Sequence, residues 1–245
     1  MNLPNYLSLG RIFLVPFLVV ILLTPVSENW LGIERYTLAI IIFLAASLTD
    51  ILDGHLARKR NQVSTLGALL DPIADKLLVS AALIALVEKH LAPAWAVVII
   101  LGREFAVTGL RSVAASEGLI IHAQKIGKVK MWAQCVAIVA LLVAGASGDP
   151  PVSNFGWSVP TFFFWQIPEV QLAFSNFLSL SVSSKDWQIF GYLIGRGALW
   201  IAVITALWSM YDYFKMFFVE NKRRRTLKER ILGEKKTAEA VAPNK

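Results

Sequence analysis

The sequence TDILDGHLARKRNQVSTLGALLDPIADK, residues 49–76, decides how the rest of the chain is interpreted. It places four aspartates in a protein that consists mostly of hydrocarbon side chains. On a helix, its first half presents carboxylates and small residues on one face, at positions i, i+3, i+4 and i+7. These residues are Asp50, Asp53, Gly54 and Ala57. The second half repeats this geometry at i, i+4 and i+8, with Gly67, Asp71 and Asp75.

Two such faces turned toward each other would form a cage of carboxylate oxygens. Hard divalent cations prefer oxygen ligands, and the small residues leave room for a bulky ligand close to the backbone. The stretch therefore predicts a divalent-metal site that receives a polyphosphate. A solvated or paired helix end explains many single aspartates at a membrane edge. The patterned array, with glycines and the Ala57-Arg58 pair at fixed offsets, favours the site instead.

The composition outside this stretch is that of an integral membrane protein. The chain has 245 residues, of which 56% are hydrophobic and 17% charged, and its mean hydropathy is +0.58. A soluble domain has a very different balance. The net charge of +7 is concentrated in a few loops and at the C-terminus, which indicates an anionic membrane surface or anionic substrates and no nucleic acid. The single cysteine, Cys135, excludes an intrachain disulfide.

Apolar runs predict an all-α protein with six transmembrane helices. The runs are Ile12–Leu23, Tyr36–Leu48, Ile73–Val87, Ala92–Val107, Met131–Ala144 and Phe190–Met210. Most are shorter than the roughly 20 residues of an ideal span, so polar helix ends must contribute. The segment Met1–Arg11, which precedes the first run, predicts a short interfacial helix. The second run leads directly into Asp50, so its helix is expected to carry the aspartates past the hydrocarbon edge.

Basic loops orient these helices. Clusters of lysine and arginine follow the second, fourth and sixth runs, at residues 58–60, 111–130 and 222–230. The positive-inside rule places all three on the cytoplasmic side. We therefore expect a multi-pass protein of the inner, or plasma, membrane, with both termini and the carboxylate site facing the cytoplasm.

The domain organisation follows from this topology. Residues 1–218 are expected to form one transmembrane catalytic domain, and residues 219–245 a basic cytoplasmic tail that becomes disordered from Glu234 onward. Between the fifth and sixth helices, residues 147–187 form a long insertion on the opposite side, rich in Phe, Trp, Pro and Ser. This insertion is expected to fold onto the outer interface of the membrane.

From Asp50 to Asp75 the sequence resembles the CDP-alcohol phosphatidyltransferases, whose signature is D-x-x-D-G-x-x-A-R, eight or nine residues, then G-x-x-x-D-x-x-x-D. Every position of that signature is filled, with eight residues between Arg58 and Gly67. Six further motifs resemble the branch whose acceptor is glycerol 3-phosphate, among them the pair Leu110-Arg111. The other five are NLPNYLSLGR at residues 2–11, LDPIADK at 70–76, GREF at 102–105, GKVK at 127–130 and LWSMYDYF at 207–214. The resemblance covers residues 1–146 and 190–218, and the insertion departs from it.

The resemblance implies a role for each aspartate. Asp50, Asp53 and Asp71 are expected to hold two divalent ions, Mg²⁺ or Mn²⁺, with Asp75 as a shared ligand. Asp71 and Asp75 form the catalytic pair, in which Asp75 is the expected base for the acceptor hydroxyl. Clustered carboxylates raise each other's proton affinity, which favours a base, although bound metal acts in the opposite direction.

The remaining signature residues are expected to contact the nucleotide. A lack of bulk on the metal face admits cytidine and diphosphate, and close helix packing is the alternative use of small residues. Residues expected to bind CDP are Asp50, Gly54, Ala57, Arg58 and Gly67. Arg58 would neutralise phosphate, although as a single residue it also reads as a cytoplasmic anchor.

Four basic residues are candidates for binding the acceptor phosphate. Arg103 and Arg111 share a helix face if the fourth helix is continuous, and Lys128 and Lys130 begin the next helix. Together they would clamp the phosphate of glycerol 3-phosphate through charge-assisted hydrogen bonds. Each alone is slightly better explained as a positive-inside anchor, and Glu104 is a candidate partner of Arg103.

These expectations define a reaction and its partners. The resemblance implies transfer of the phosphatidyl group from CDP-diacylglycerol to sn-glycerol 3-phosphate with release of CMP, carried out among membrane lipids by a homodimer. A cardiolipin synthase of the same fold, with phosphatidylglycerol as acceptor, is the nearest alternative. An intramembrane prenyltransferase also uses aspartate-rich helices but does not need the residues that follow Asp53. An ion-coupled transporter would hold its aspartates near the bilayer midplane, whereas the basic residues 58–60 favour an interfacial site.

Overall fold

The structure is a computed structural model. It describes the backbone of residues 3–25, 32–60, 65–116, 126–146 and 168–241, and the side chains of residues 9–25, 32–49, 73–74, 76–116, 129–146 and 168–223. Within these ranges the chain is helical, with short turns between some helices. The helices are α1 (Leu3–Leu23), α2 (Arg35–Arg60), α3 (Thr65–Glu88), α4 (Ala94–Ser116), α5 (Ile126–Ala146), α6 (Pro168–Leu178) and α7 (Ser184–Val241).

The helices follow the predicted apolar runs closely. Helices α1 to α5 and α7 each contain one of the six runs, apart from the first two residues of the fourth run, which precede α4. By length and composition alone, two of the described helices are long and apolar enough to cross a membrane, at Val129–Ala146 and Ser184–Arg223. Shorter apolar helices occupy Leu9–Leu23 and Arg35–Thr49. The described residues therefore confirm the all-helical class.

The described helices differ from two sequence-based expectations about the chain ends. The separate N-terminal helix is absent from the described residues, because α1 runs without a break from Leu3 to Leu23 and includes Pro16. The disordered segment expected from Glu234 is helical as far as Val241, since α7 continues over 58 residues. The boundary expected at residue 218 therefore falls inside a helix.

Local capping contacts explain where some of the helices begin and end. At the start of α2, the Glu34 carboxylate accepts hydrogen bonds from the Thr37 amide at 3.3 Å and its hydroxyl at 2.8 Å. After α3, His90 adopts a positive φ of 58°. Its amide donates to the carbonyl of Val87, and the Leu91 amide donates to that of Leu86. This pair of bonds is the Schellman motif, and it turns the chain toward α4.

Small residues let α5 pack closely against α7 and α2. A Cβ added at Gly195 would lie 2.6 Å from Leu141 Cγ, and one at Gly191 would lie 3.4 Å from the carbonyl oxygen of Ala140. A Cβ added at Gly145, near the end of α5, would lie 2.6 Å from the Tyr36 ring at the start of α2. Such close backbone approach is typical of helices packed in a membrane. These contacts show that α5 is antiparallel to α7 and that the end of α5 lies beside the start of α2.

Helices α4 and α7 run in the same direction. Their contacts keep one register, from the Trp95–Trp200 ring pair, with centroids 5.1 Å apart, through the hydrogen bond of Arg103 to Ser209 to that of Arg111 to Tyr213. Lys76, near the start of α3, donates to Thr108 in the second half of α4. One end of the bundle, which we call the aspartate end, therefore collects the end of α2, the start of α3, the second half of α4 and the start of α5.

We predict that Gly195→Ala destabilises the fold because its methyl group would collide with Leu141. Overpacking of this kind costs about 1–3 kcal/mol, against the roughly 1 kcal/mol by which alanine improves a helix over glycine. Gly197→Ala is the matched control, because a Cβ there meets nothing within 4 Å. Thermal unfolding in detergent should show a lower Tm for Gly195→Ala and an unchanged or higher Tm for Gly197→Ala. Equal shifts would show that this packing does not limit stability.

Candidate active site

The aspartates lie on two successive helices at the same end of the bundle. Asp50 and Asp53 are in α2, and Asp71 and Asp75 are near the start of α3. Both segments are helical, as the spacing of the aspartates predicted. The side chains of these residues lie outside the described set, as do those of Ala57 and Arg58 and the surroundings of Gly54 and Gly67.

A polar contact joins this part of α3 to α4. Lys76 follows Asp75 directly, and its ammonium group donates to the Thr108 hydroxyl. Thr108 in turn donates to the backbone carbonyl of Glu104 at 2.7 Å. The side chain of Lys76 thus spans the distance between α4 and the turn of α3 that carries Asp75.

A buried ion cluster occupies this part of α4. Arg103 is 8% exposed and Lys130, near the start of α5, is 3% exposed. Both cations contact the same oxygen of Glu104: Arg103 Nη1 lies 3.3 Å from Oε1, and Lys130 Nζ pairs with it as well. Buried charges need such partners, because desolvation of an unpaired ion is costly. The Glu104 carboxylate is therefore shared by two cations.

Helix α7 supplies the other partners of the arginines. Arg103 Nη2 donates to the buried hydroxyl of Ser209, and Arg111 Nη2 donates to the hydroxyl of Tyr213. The Tyr213 side chain is 2% exposed. Its ring centroid lies 5.9 Å from the guanidinium carbon of Arg103 and 4.9 Å from that of Arg111. Tyr213 therefore holds both arginines, through a hydrogen bond to one and cation–π attraction to both.

Three of the four residues predicted to bind the acceptor phosphate come together here. Helix α4 is continuous from Ala94 to Ser116, and Arg103 and Arg111 both reach Tyr213. Lys130 joins them through Glu104, the partner that the sequence suggested for Arg103. Lys128 lies on α5, and its side chain is outside the described set. The phosphate-binding role of these residues stays a prediction.

Sequence reasoning missed the residues that hold this cluster in place. Ser209 and Tyr213 belong to LWSMYDYF and Lys76 to LDPIADK, two motifs that carried the family resemblance. Gln134 gave no signal at all, yet it is buried one helical turn beyond Lys130. Within the described part of the chain, Gln134 Nε2 and Arg103 Nε are buried without a hydrogen-bond partner. A buried donor that has no partner is costly to the fold.

The arrangement suits a phosphate monoester. Several cationic donors close together can bind a dianion through charge-assisted hydrogen bonds, which are roughly twice as strong as neutral ones. The aspartates on α2 and α3 provide oxygen donors for divalent cations at the same end of the bundle. One end of the molecule thus offers donors for cations and for a phosphate.

Comparisons with known proteins agree with this chemistry. Residues 1–208 match a family model described as CDP-alcohol phosphatidyltransferase. The chain is 49% identical over 148 residues to a CDP-diacylglycerol--glycerol-3-phosphate 3-phosphatidyltransferase of Bacillus subtilis, covering 58% of this chain and 77% of that protein. It is 39% identical over 214 residues to a Rickettsia felis protein with the same name, covering 87% and 94%. A third protein of that name, from Pseudomonas fluorescens, is 33% identical over 224 residues, covering 88% and 89%.

We predict that Glu104→Gln destabilises the fold, because it removes the carboxylate that Arg103 and Lys130 share. Removal of one partner from a buried ion pair costs about 3–5 kcal/mol. The control is Glu220→Gln, since Glu220 is 45% exposed and its pair with Arg223 spans 3.9 Å. An exposed pair of this kind contributes at most about 1 kcal/mol. Thermal unfolding in detergent should show a large fall in Tm for Glu104→Gln alone, and similar Tm values for both variants would refute the shared pairing.

Proposed function

The chain belongs to the CDP-alcohol phosphatidyltransferase family, and we propose that it transfers the phosphatidyl group of CDP-diacylglycerol to sn-glycerol 3-phosphate. The products are phosphatidylglycerophosphate and CMP. One observation carries this proposal: the complete family signature lies on α2 and α3 at the end of the bundle where Arg103, Arg111 and Lys130 converge. An enzyme that joins a nucleotide diphosphate to a phosphorylated alcohol needs both elements in one place.

The metal site is proposed from its donor set. Four aspartates supply the hard oxygen ligands that Mg²⁺ and Mn²⁺ prefer, so Asp50, Asp53, Asp71 and Asp75 would hold two divalent ions. Bound there, the ions would neutralise the diphosphate of the lipid substrate and polarise it toward attack. The nucleotide would lie along the small residues of the signature, with the Arg58 guanidinium against a phosphate. The proposed CDP contacts are Asp50, Gly54, Ala57, Arg58 and Gly67.

The chemical step is a displacement at phosphorus. In this proposal Asp75 takes the proton of the acceptor hydroxyl, and the hydroxyl oxygen forms a bond to the phosphorus that carries diacylglycerol. The bond from that phosphorus to the bridging oxygen breaks, and CMP leaves with the electron pair. Asp71, one helical turn before Asp75, completes the catalytic pair. Most of the rate enhancement would come from positioning and from electrostatic stabilisation of the phosphoryl oxygens.

The acceptor would be held through its phosphate. Arg103, Arg111 and Lys130, with Lys128, would bind the dianion of glycerol 3-phosphate, while Glu104 and Tyr213 keep the cations in position. The Lys76–Thr108 hydrogen bond supports this arrangement, because it links the α3 turn of Asp75 to α4, which carries both arginines. A bound phosphate would therefore leave the glycerol hydroxyl near the proposed base.

The proposed topology has six helices, α1 to α5 and α7, crossing the plasma membrane with the aspartate end in the cytoplasm. The basic residues near the ends of α2, α4 and α7 support this orientation. The opposing directions of α5 and α7 agree with successive crossings. A homodimer is part of the proposal on the family resemblance alone.

We predict that the purified protein releases CMP from CDP-diacylglycerol only with glycerol 3-phosphate as acceptor, and only with a divalent ion. Phosphatidylglycerol and inositol phosphate are the competing acceptors. EDTA should abolish release, and added Mg²⁺ or Mn²⁺ should restore it. Asp75→Asn should lower the rate by about 10²–10⁴-fold, the usual contribution of a general base. Glu88→Gln, an exposed change at the opposite end of α3, should leave the rate unchanged.

Each other outcome of that assay removes a specific part of the proposal. CMP release with phosphatidylglycerol would favour the cardiolipin synthase alternative, and release with inositol phosphate would overturn the acceptor assignment while retaining the metal site. Full activity of Asp75→Asn would exclude Asp75 as the base. Activity that survives EDTA would exclude the proposed ions.

We predict that Arg111→Gln raises the KM for glycerol 3-phosphate about 10- to 100-fold, because a charged hydrogen bond is worth about 1.5–3 kcal/mol. Tyr213→Phe removes only the hydroxyl that Arg111 contacts, so its effect should have the same direction and be smaller. The KM for CDP-diacylglycerol should stay the same in both variants. Lys89→Gln, at the opposite end of the bundle, is the control for the loss of one basic residue. Equal increases in both KM values would indicate a general structural effect and contradict phosphate binding by Arg111.

A further inference from the structure

Helix α6 and the first turns of α7 form a helical hairpin at the end of the bundle opposite the aspartates. Val170 and Ala173 of α6 are fully buried against Ile189 of α7. The Phe190 ring has Phe174 and Phe177 as edge-on neighbours, with ring centroids 5.4 Å and 5.7 Å away. The hairpin is therefore a packed unit that has its own small apolar core.

The tip of this hairpin exposes large apolar side chains. Leu178 is 83% exposed and Leu180 is 92% exposed, while Leu172 and Phe177 on α6 are 64% and 52% exposed. The tip sequence FLSLSVSS, residues 177–184, contains no charged residue. A contiguous patch of this kind is unusual on a surface that faces water and marks a binding surface.

The polar groups of the tip bond to each other. The Leu180 amide donates to the carbonyl of Phe177, and the Ser181 amide donates to that of Asn176. Ser179 donates to the Asn176 carbonyl at 3.1 Å, and its hydroxyl lies 2.8 Å from that of Ser181. Backbone that enters lipid must satisfy its hydrogen bonds internally. The hydrogen bonds within the tip satisfy two of its backbone amides and two of its hydroxyl groups internally.

Asp186 connects α7 to the end of α6, and its carboxylate is buried. Its carboxylate accepts hydrogen bonds from the amide and hydroxyl of Ser183, at 2.8 Å and 2.9 Å, and from the Asn176 side chain at 3.1 Å. Asp186 is 3% exposed. The Ser183 hydroxyl is also 3.3 Å from the Asp186 amide, so the two residues form a capping box. The carboxylate nearest the tip is thus satisfied within the hairpin.

Leu180 occupies a position where glycine is normally preferred. Its φ is 56°, and the two hydrogen bonds around it form a Schellman motif in which this left-handed residue is usually glycine. A leucine there is strained, and in water its exposed side chain would gain nothing in return. Contact with lipid would offset the strain, because the side chain would then leave water.

The apolar surface of the hairpin continues onto the span of α7. Trp187 is 61% exposed, and the residues that follow it at intervals of seven, Ile194, Ile201 and Trp208, are 58%, 51% and 62% exposed. This stripe lies on a helix that is long and apolar enough to cross a membrane, so lipid is its natural contact. We propose that the hairpin inserts Leu178 and Leu180 into the lipid of the leaflet opposite the aspartate end, where it anchors the start of α7.

Spin labels placed on the tip test this proposal without reference to the enzyme's chemistry. Cysteines at Leu178 and Leu180 would be introduced singly into full-length Cys135→Ala protein, labelled with a nitroxide and reconstituted into phosphatidylglycerol–phosphatidylethanolamine vesicles. A cysteine at Lys185, exposed on the same hairpin, is the matched control. Oxygen concentrates in lipid, whereas a nickel chelate stays in water. Both leucine positions should therefore show a severalfold higher ratio of oxygen to nickel accessibility than the lysine position.

Two results would overturn the proposal. Nickel accessibility at Leu178 and Leu180 equal to that at Lys185 would place the tip in water. Low accessibility to both reagents would mean that protein covers the tip, such as a second copy of this chain or another of its segments. Circular dichroism and gel filtration of each labelled variant would establish that the comparison is made on folded protein.

Discussion

The shared pairing of Arg103 and Lys130 with Glu104 is the constraint on which the aspartate end depends. Two cations buried to this degree require a fixed carboxylate, and the three side chains come from α4 and α5. Ser209 on α7 accepts a further hydrogen bond from Arg103. Three helices are thereby held at one level by polar contacts that tolerate little displacement.

The rest of the bundle is held by a different kind of contact. Lipid is as apolar as a leucine side chain, so helices in a membrane associate by close packing of small residues more than by hydrophobic burial. Gly195 and Gly191 provide that packing between α5 and α7. At the start of α7, helix α6 packs against it through a separate apolar cluster, and Asp186 caps the helix. Close packing fixes the helices along their length, while hydrogen bonds between charged groups fix the end where the proposed chemistry takes place.

Local sequence patterns predicted the structural features that depend on residues close together in the chain. Apolar runs located six of the helices, and the spacing of Asp50 to Asp75 correctly indicated helical segments. Arg103 and Arg111 were placed on one face because eight residues of continuous helix fix their relation. The pairing of Arg111 with Tyr213 joins positions 102 residues apart, and no periodicity reports such a contact. The short helix α6 was not predicted, because it lies in an insertion rich in aromatic residues. The extension of α7 was not predicted, because its charged composition is typical of a disordered tail.

The two ends of α7 link the proposed reaction to the proposed anchor. Trp187 and Ser209 are 22 residues apart, which corresponds to about 33 Å of helix at 1.5 Å per residue. The hydrocarbon core of a bilayer is about 30 Å thick. If the hairpin lies at one interface, Ser209 and the arginine it holds must lie at the other. A site at the interface receives a soluble phosphorylated alcohol from water and a CDP-linked lipid from the membrane. An ion-coupled transporter would instead require its charged residues near the midplane of the bilayer. The midplane is about 15 Å from the interface, half the thickness of the hydrocarbon core.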